Sequence, residues 1–250
     1  MKPTERFSDR VSNYVKYRPS YPAAALDTLF KECNVNEHSV IADIGSGTGK
    51  LTELLLERGS NVIAVEPNKE MREAAESSLQ AHTGFTSVDG TSEVTGLADG
   101  VADVVIAAQA FHWFEPVATK REFARILKSG GRIALIWNQR DKTSDFQHAY
   151  DQMLTAHCPE YKELKHTNIP EEEFVDFFAP TGYELFNTPY VQHFDKASFL
   201  GRMYSSSYTP NQHTDAARDL HEAAEALFDE HQQAGQVAFV YETNLYISRA

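Results

Sequence analysis

Apolar positions in this chain follow two periods in alternation. Val40, Ile41, Ala42 and Ile44 form a run too short for a helix and suited to a strand buried on both faces. Directly afterwards Leu51, Leu54 and Leu55 recur at helical spacing, with Thr48 as the expected cap. The alternation repeats: Asn61–Val65 reads as a second strand, and Asn68 caps a helix with Met71, Ala74 and Ala75 inward. Phe85–Val88 is a short third strand and Ala102–Ala108 a near-continuous apolar fourth. Glu115-Pro116 begins a helix carrying Phe123, Ile126 and Leu127, and Ser129-Gly130-Gly131 breaks the chain before a fifth strand, Arg132–Trp137. Strand and helix in alternation demand a parallel sheet with right-handed crossovers.

From Asp141 to Pro180 the pattern changes to short, aromatic-rich helices. Tyr183–Phe194 is a sixth strand. A long helix from Thr214 to about Gln233 presents Ala217, Leu220, Ala224, Leu227 and Phe228 on one face and ends near Gly235, and Val237–Ile247 is the last strand. Ahead of the first strand, Leu26, Leu29 and Phe30 mark a helix begun by Pro22 and capped by Ser20.

Composition narrows the class. With 250 residues, 42% of them apolar and 24% charged, the chain suits one soluble domain with a substantial core. It has no apolar run long enough to span a bilayer, and MKPTERFSDR lacks a signal peptide's apolar segment. Cys33 and Cys158 are too far apart in sequence to suggest a disulfide framework or a metal site, so a cytoplasmic location is expected. A net charge of −13 argues against nucleic-acid and anionic-membrane partners. No histidine pair has metal-ligand spacing, His221 and His231 read as helix-face residues, and no metal is assigned. Oligomeric state is left open.

The candidate chemistry begins at the end of the first strand, where Gly45, Gly47 and Gly49 occupy alternate positions before a helix. Such a turn brings a ligand close to bare backbone at a helix N-terminus. A phosphate loop would need glycine at Ile44 and Ser or Thr at Leu51, so that reading fails twice. The dinucleotide fingerprint needs its third glycine at Lys50 and fails once. What remains is Asp43-x-Gly45-x-Gly47-x-Gly49. Glu66, roughly 20 residues past the turn and at the tip of the second strand, is placed to accept both hydroxyls of a ribose. At the carboxyl end of the fourth strand, Phe111, His112, Trp113 and Phe114 form an aromatic cluster that reads as exposed, on the edge where an open α/β sheet binds ligands.

The Asp43–Gly49 spacing resembles the first motif of the class I S-adenosylmethionine-dependent methyltransferases. The pattern Tyr14…Arg18-Pro19…Tyr21-Pro22, and AQAFHWF followed by a helix, resemble their small-molecule branch (type 11, trans-aconitate methyltransferase-like). The resemblance implies a Rossmann-like, doubly wound, seven-stranded α/β sheet, mostly parallel with a reversed C-terminal edge strand, plus helical cap insertions. It divides one domain into an N-terminal lid and helix (1–35) and a cofactor-binding core (36–141). Caps at 142–182 and 196–235 and hairpin strands at 183–195 and 236–250 complete it.

S-adenosylmethionine is the implied cofactor and a small molecule the implied methyl acceptor. The expected cofactor contacts are Tyr14, Arg18, Asp43, Gly45, Ser46, Gly47, Gly49, Glu66, Pro67, Met71, Gly90, Thr91, Ser92, Ala108 and Gln109, with His112 as the catalytic candidate. In the family an Asp often stands where this chain has Thr91, so the adenine amine falls to Asp89, to the Thr91 hydroxyl or to backbone. Tyr14, Phe111 and Trp113 are candidates to face the sulfonium. Arg18, Arg140 and Arg202, read as loop residues, are candidates for an anionic acceptor; the alternative is that they are solvated surface arginines, which explains Arg202 at least as well. Residues 7–19 are expected to order over the cofactor. Two other readings stand beside this one: a nicotinamide-dependent oxidoreductase, which shares the turn and Glu66 but not Lys50, and a cofactor-binding relative that catalyses nothing.

Overall fold

The computed structural model describes residues 17–163, 169–206, 208–210 and 214–249. Tyr14, and all but the last three residues of the 7–19 segment, lie outside them. Among the described residues seven strands are present: β1 (Val40–Ile44), β2 (Asn61–Val65), β3 (Phe85–Val88), β4 (Ala102–Ala108), β5 (Leu127–Arg140), β6 (Tyr183–Phe194) and β7 (Val237–Ser248). They form one sheet in the order β3-β2-β1-β4-β5-β7-β6. β1 to β5 pair in parallel, whereas β7 runs antiparallel to both β5 and β6. The reversed strand is thus inserted between β5 and β6, which leaves β6 at the edge.

The continuous apolar runs of the inner strands follow from burial on both faces. Ile41, Val104, Ile106, Ala134 and Ile136 pack against Leu26 and Leu29 of α1 (Ala23–Glu32) and Leu51 and Leu55 of α2 (Lys50–Glu57). The alternate residues Ala42, Ile44, Val105, Ala107 and Leu135 meet Phe123 and Ile126 of α4 (Pro116–Ile126) and Phe174, Phe177 and Phe178 of α6 (Glu171–Phe178). Between them, α3 (Lys69–Leu79) follows β2. Burying a side chain such as Phe123 fully contributes about 1.5–3 kcal/mol, so these two layers hold the parallel half together.

A third core lies beyond the sheet edge. Phe146, Tyr150 and Leu154 of α5 (Asp145–His157), Phe199 and Met203 of α7 (Lys196–Tyr204), and Leu220 and Phe228 of α8 (Asp215–His231) enclose Phe239 of β7. Gln147 locks this cap to the sheet: its amide receives the Val240 N–H at 2.7 Å and donates to the Val240 carbonyl at 3.0 Å, as a neighbouring strand would. Gly201, inside α7, has a specific cause. A Cβ there would lie 2.2 Å from the Tyr17 ring, so this glycine lets that ring dock on the helix backbone.

Three local expectations are corrected. Thr48 does not cap α2; Gly49 takes the cap position in the left-handed region (φ 80°), where no side-chain bond is made. Ser20 does not cap α1, because Pro22 stands at that position. The fifth strand begins at Leu127, with Ser129-Gly130-Gly131 forming an irregularity within it rather than a break before it. The caps at Asn68 and Thr214 are as expected, accepting from Met71 N at 2.9 Å and Ala217 N at 3.2 Å. No described helix is long and apolar enough to cross a membrane.

Candidate active site

β1 and β4 are adjacent, but their onward connections leave in opposite directions along the sheet, so a crevice opens at their carboxyl ends. A cavity of about 870 Å³ occupies that place. It is at the upper end of the range for small-molecule sites and has room for two ligands side by side.

The three motif glycines serve different ends. Gly45 (φ 69°) lines the cavity, and a Cβ there would meet the Ala110 Cβ at 2.8 Å. At Gly49 (φ 80°) a Cβ would strike the Leu79 Cδ1 at 2.6 Å, so that glycine admits α3 against α2 and does not line the cavity. Gly47 (φ 59°) has open space: the nearest atom to a Cβ is the Met71 sulfur, 3.9 Å away. Its bare backbone therefore faces the cavity.

Glu66 closes the same end. Its carboxylate accepts the Gly47 N–H and the Asn68 N–H, each at 2.8 Å, and only 7% of the residue is exposed. Burial raises its pKa above the usual carboxylate range, against the pull of those two N–H donors and Arg72. A carboxylate has about four acceptor sites, so capacity remains for a ligand's hydroxyls. Beneath the turn, Asp43 is wholly buried and outside the cavity lining. It accepts the Thr52 hydroxyl at 2.7 Å, while its other oxygen has no partner among the described residues. Burial pushes its pKa up to about 7; the Thr52 bond opposes the shift and the nearby Glu66 charge adds to it.

Pro67, Met71, Thr91 and Ser92 extend the wall from Glu66. Gly90 does not line the cavity; a Cβ there would lie 2.6 Å from the Thr95 carbonyl, a packing reason for glycine. Asp89 is turned outward in an ion pair with Arg72 at 3.2 Å, so Thr91, Ser92 and Glu93 are the polar side chains of that loop at the cavity.

Across the crevice, Ala108, Gln109 and His112 line the opposite wall with Trp113, Phe114 and Trp137. Gln109 adopts φ 54°, rare for a side chain of its size, and is held there by its N–H on the Ile136 carbonyl at 3.0 Å and its amide on the Asn138 carbonyl at 3.1 Å. The His112 ring sits 4.5 Å from Trp113 and 5.3 Å from Trp137, centroid to centroid. Phe111 is not part of this surface, contrary to the exposed cluster expected. It is buried, stacks on Phe174 at 5.6 Å, and cannot face a cofactor.

Arg18, Arg140 and Arg202 all line the cavity, but of the three only Arg18 is a loop residue. Arg140 ends β5, Arg202 lies within α7 and is only 7% exposed, and Arg18 donates to the Ser205 carbonyl at 3.3 Å. Sequence reading did not reach the tyrosines around them (Tyr161, Tyr208 and Tyr241), nor Lys50, whose pKa burial lowers.

Residues 42–135 match the methyltransferase-domain family. The chain is 40% identical over 136 residues to an uncharacterized methyltransferase of Mycobacterium tuberculosis, covering 54% of this chain and 53% of that protein. It thus spans about half the length of the curated relatives it matches. Among solved structures, it is similar in fold to a protein described as a type II methyltransferase from Anaeromyxobacter dehalogenans (21% identity, TM-score 0.65, 93% of this chain and 98% of that one). A second, from Anabaena variabilis, is described as a methyltransferase of an antibiotic biosynthesis pathway (20% identity, TM-score 0.67, covering 94% and 99%).

Proposed function

We propose, on the match of residues 42–135 to the methyltransferase-domain family, that this protein binds S-adenosylmethionine at the Gly47–Glu66 end of the cavity and methylates a small molecule bound beside it. The observation that carries this is the open, left-handed Gly47 next to a buried carboxylate with acceptor sites to spare. S-adenosylmethionine supplies a methyl group already activated on a sulfonium, transferred by in-line displacement.

The protein's own contribution is placement. Gly47 gives backbone access, Glu66 accepts the ribose hydroxyls, and Pro67, Met71, Thr91 and Ser92 form the adenine wall. Trp113 offers an aromatic face to the cation, worth about 0.5–2 kcal/mol. Orienting two reactants and excluding water supplies up to about 7–11 kcal/mol of barrier lowering. His112, on the opposite wall, is in position to take a proton from a hydroxyl or amine acceptor. Asp43 and Gly49 support the turn from below.

Calorimetric titration separates the readings: S-adenosylmethionine binds and a nicotinamide dinucleotide does not, whereas the reverse result refutes the proposal. Glu66→Ala is expected to weaken S-adenosylmethionine binding by about 1–3 kcal/mol. Unchanged affinity in the folded variant would remove Glu66 from the site.

A further inference from the structure

β4 and β5 pair in parallel as far as Ala108 and Ile136. One further backbone bond follows, from the Gln109 N–H to the Ile136 carbonyl at 3.0 Å. In a parallel ladder the bond recurs two residues on, which would set the N–H of residue 111 on the Asn138 carbonyl. The chain does not continue that way. Gln109 enters the left-handed region at φ 54°, and Phe111–Trp113 form a 3₁₀ turn instead. The Asn138 carbonyl still has a donor, because the Gln109 side-chain amide reaches it at 3.1 Å. One side chain thus supplies what the departing backbone withdraws.

This bend decides where the next four side chains go. Ala110 comes down on the glycine turn, where a Cβ at Gly45 would lie 2.8 Å from its own. Phe111 enters the core against Phe174 and Phe177, while His112 and Trp113 stay on the crevice wall beside Trp137. The anchor is itself fixed. Asn138 is only 7% exposed, its amide donates to the Ser20 carbonyl at 2.9 Å, and it accepts the Thr243 hydroxyl at 2.6 Å. Glycine at 109 would take this φ without strain but could not make the bond. Glutamine bears the strain and ties the bend to a fixed point.

We propose that Gln109 is a positioning residue: its side-chain latch on the Asn138 carbonyl holds the left-handed bend, and the bend fixes His112 and Trp113 on the crevice wall. Such placement matters to a reaction between two bound molecules, since a displacement of about 1 Å costs on the order of 100-fold in rate. That the two rings face a sulfonium and a methyl acceptor rests on the methyl-transfer reading above. The latch itself does not.

Trp113 and Trp137 are the chain's two tryptophans and both line the cavity, so indole fluorescence reports on this wall alone. The test compares the full chain with two variants. Gln109→Met keeps the side chain's length but has no N–H to donate; Gln109→Gly relieves the backbone and removes the latch. Without ligand, both are expected to raise the acrylamide quenching constant at least about 2-fold, as the wall opens locally. Gln109→Gly should meanwhile melt within about 3 °C of wild type, the relieved strain offsetting the lost bond. A merely structural residue would lower Tm and leave quenching in the folded protein as it was. Both variants should also bind S-adenosylmethionine about 3- to 10-fold more weakly, because the Trp113 face is no longer held. Should Gln109→Met fail to fold, Gln109→Gly decides. Wild-type quenching in either folded variant overturns the latch, and so does unchanged S-adenosylmethionine affinity in both. Raised quenching in variants of a protein that binds no S-adenosylmethionine keeps the latch and discards the cofactor reading; binding with unchanged quenching does the reverse.

Discussion

A folded Gly47→Val protein is expected to lose at least about 100-fold in S-adenosylmethionine affinity, about 3 kcal/mol, while remaining a soluble, cooperatively melting domain. The added side chain has room in the ligand-free protein, where the nearest neighbour of its Cβ is the Met71 sulfur at 3.9 Å. The fold therefore bears only the backbone cost of a branched residue at φ 59°, about 1–3 kcal/mol. The same replacement at Gly49 serves as the contrast. There the Cβ meets Leu79 at 2.6 Å and Ala75 at 3.2 Å, so Gly49→Val should lower stability far more than Gly47→Val. Denaturation midpoints and ligand titration of the two variants check this together. Native affinity in folded Gly47→Val would place the cofactor elsewhere.

The second large effect concerns Asp43. Its carboxyl titrates near 7 in the fold against an ordinary value of 3.8, so between those pH values the unfolded chain releases a proton that the folded chain keeps. Stability from this group is therefore full below about pH 4, falls as pH rises, and levels off above 7. At 1.36 kcal/mol per pH unit the gap amounts to about 4 kcal/mol. Asp43→Asn removes the titration. Its amide still accepts from Thr52 but leaves an N–H group with no partner, which costs about 1–3 kcal/mol at every pH. Relative to wild type, the ligand-free variant should gain about 4 kcal/mol in going from pH 4 to pH 8. Urea denaturation across that range measures it, and parallel curves would contradict the buried, strained carboxylate.

The half of the molecule that carries the glycine turn was legible because its signals are local. Strands buried on both faces are continuously apolar whichever helices cover them, and an Asp-x-Gly-x-Gly-x-Gly turn restricts what can touch it. The β5–β7 side of the cavity was less legible. Arg202 reads as a loop arginine, and the tyrosines that act on it, Tyr150 on α5 and Tyr241 on β7, are related to it by no sequence period. Phe111 was misread for the same reason in reverse: its cover, Phe174 and Phe177 of α6, comes from a later segment. The capping misreadings at Thr48 and Ser20 have a local cause. In each case a residue with fixed or special backbone geometry, Gly49 or Pro22, takes the position the hydroxyl would have used.

The insertion of β7 between β5 and β6 also sets an order of events during synthesis. The parallel strands β1–β5 can pair as the chain leaves the ribosome, each soon after its neighbour. β6 cannot: among the described strands it pairs only with β7, which is made after α7 and α8. Phe239 and Tyr241 arrive with β7, so the cap core and the arginine cluster close last. The glycine turn and Glu66 can thus be in place while Arg202 is still in water, and its desolvation is deferred until the sheet is complete. Slow or faulty arrival of the final strand would leave a nascent protein with its parallel half built and its arginine pocket missing.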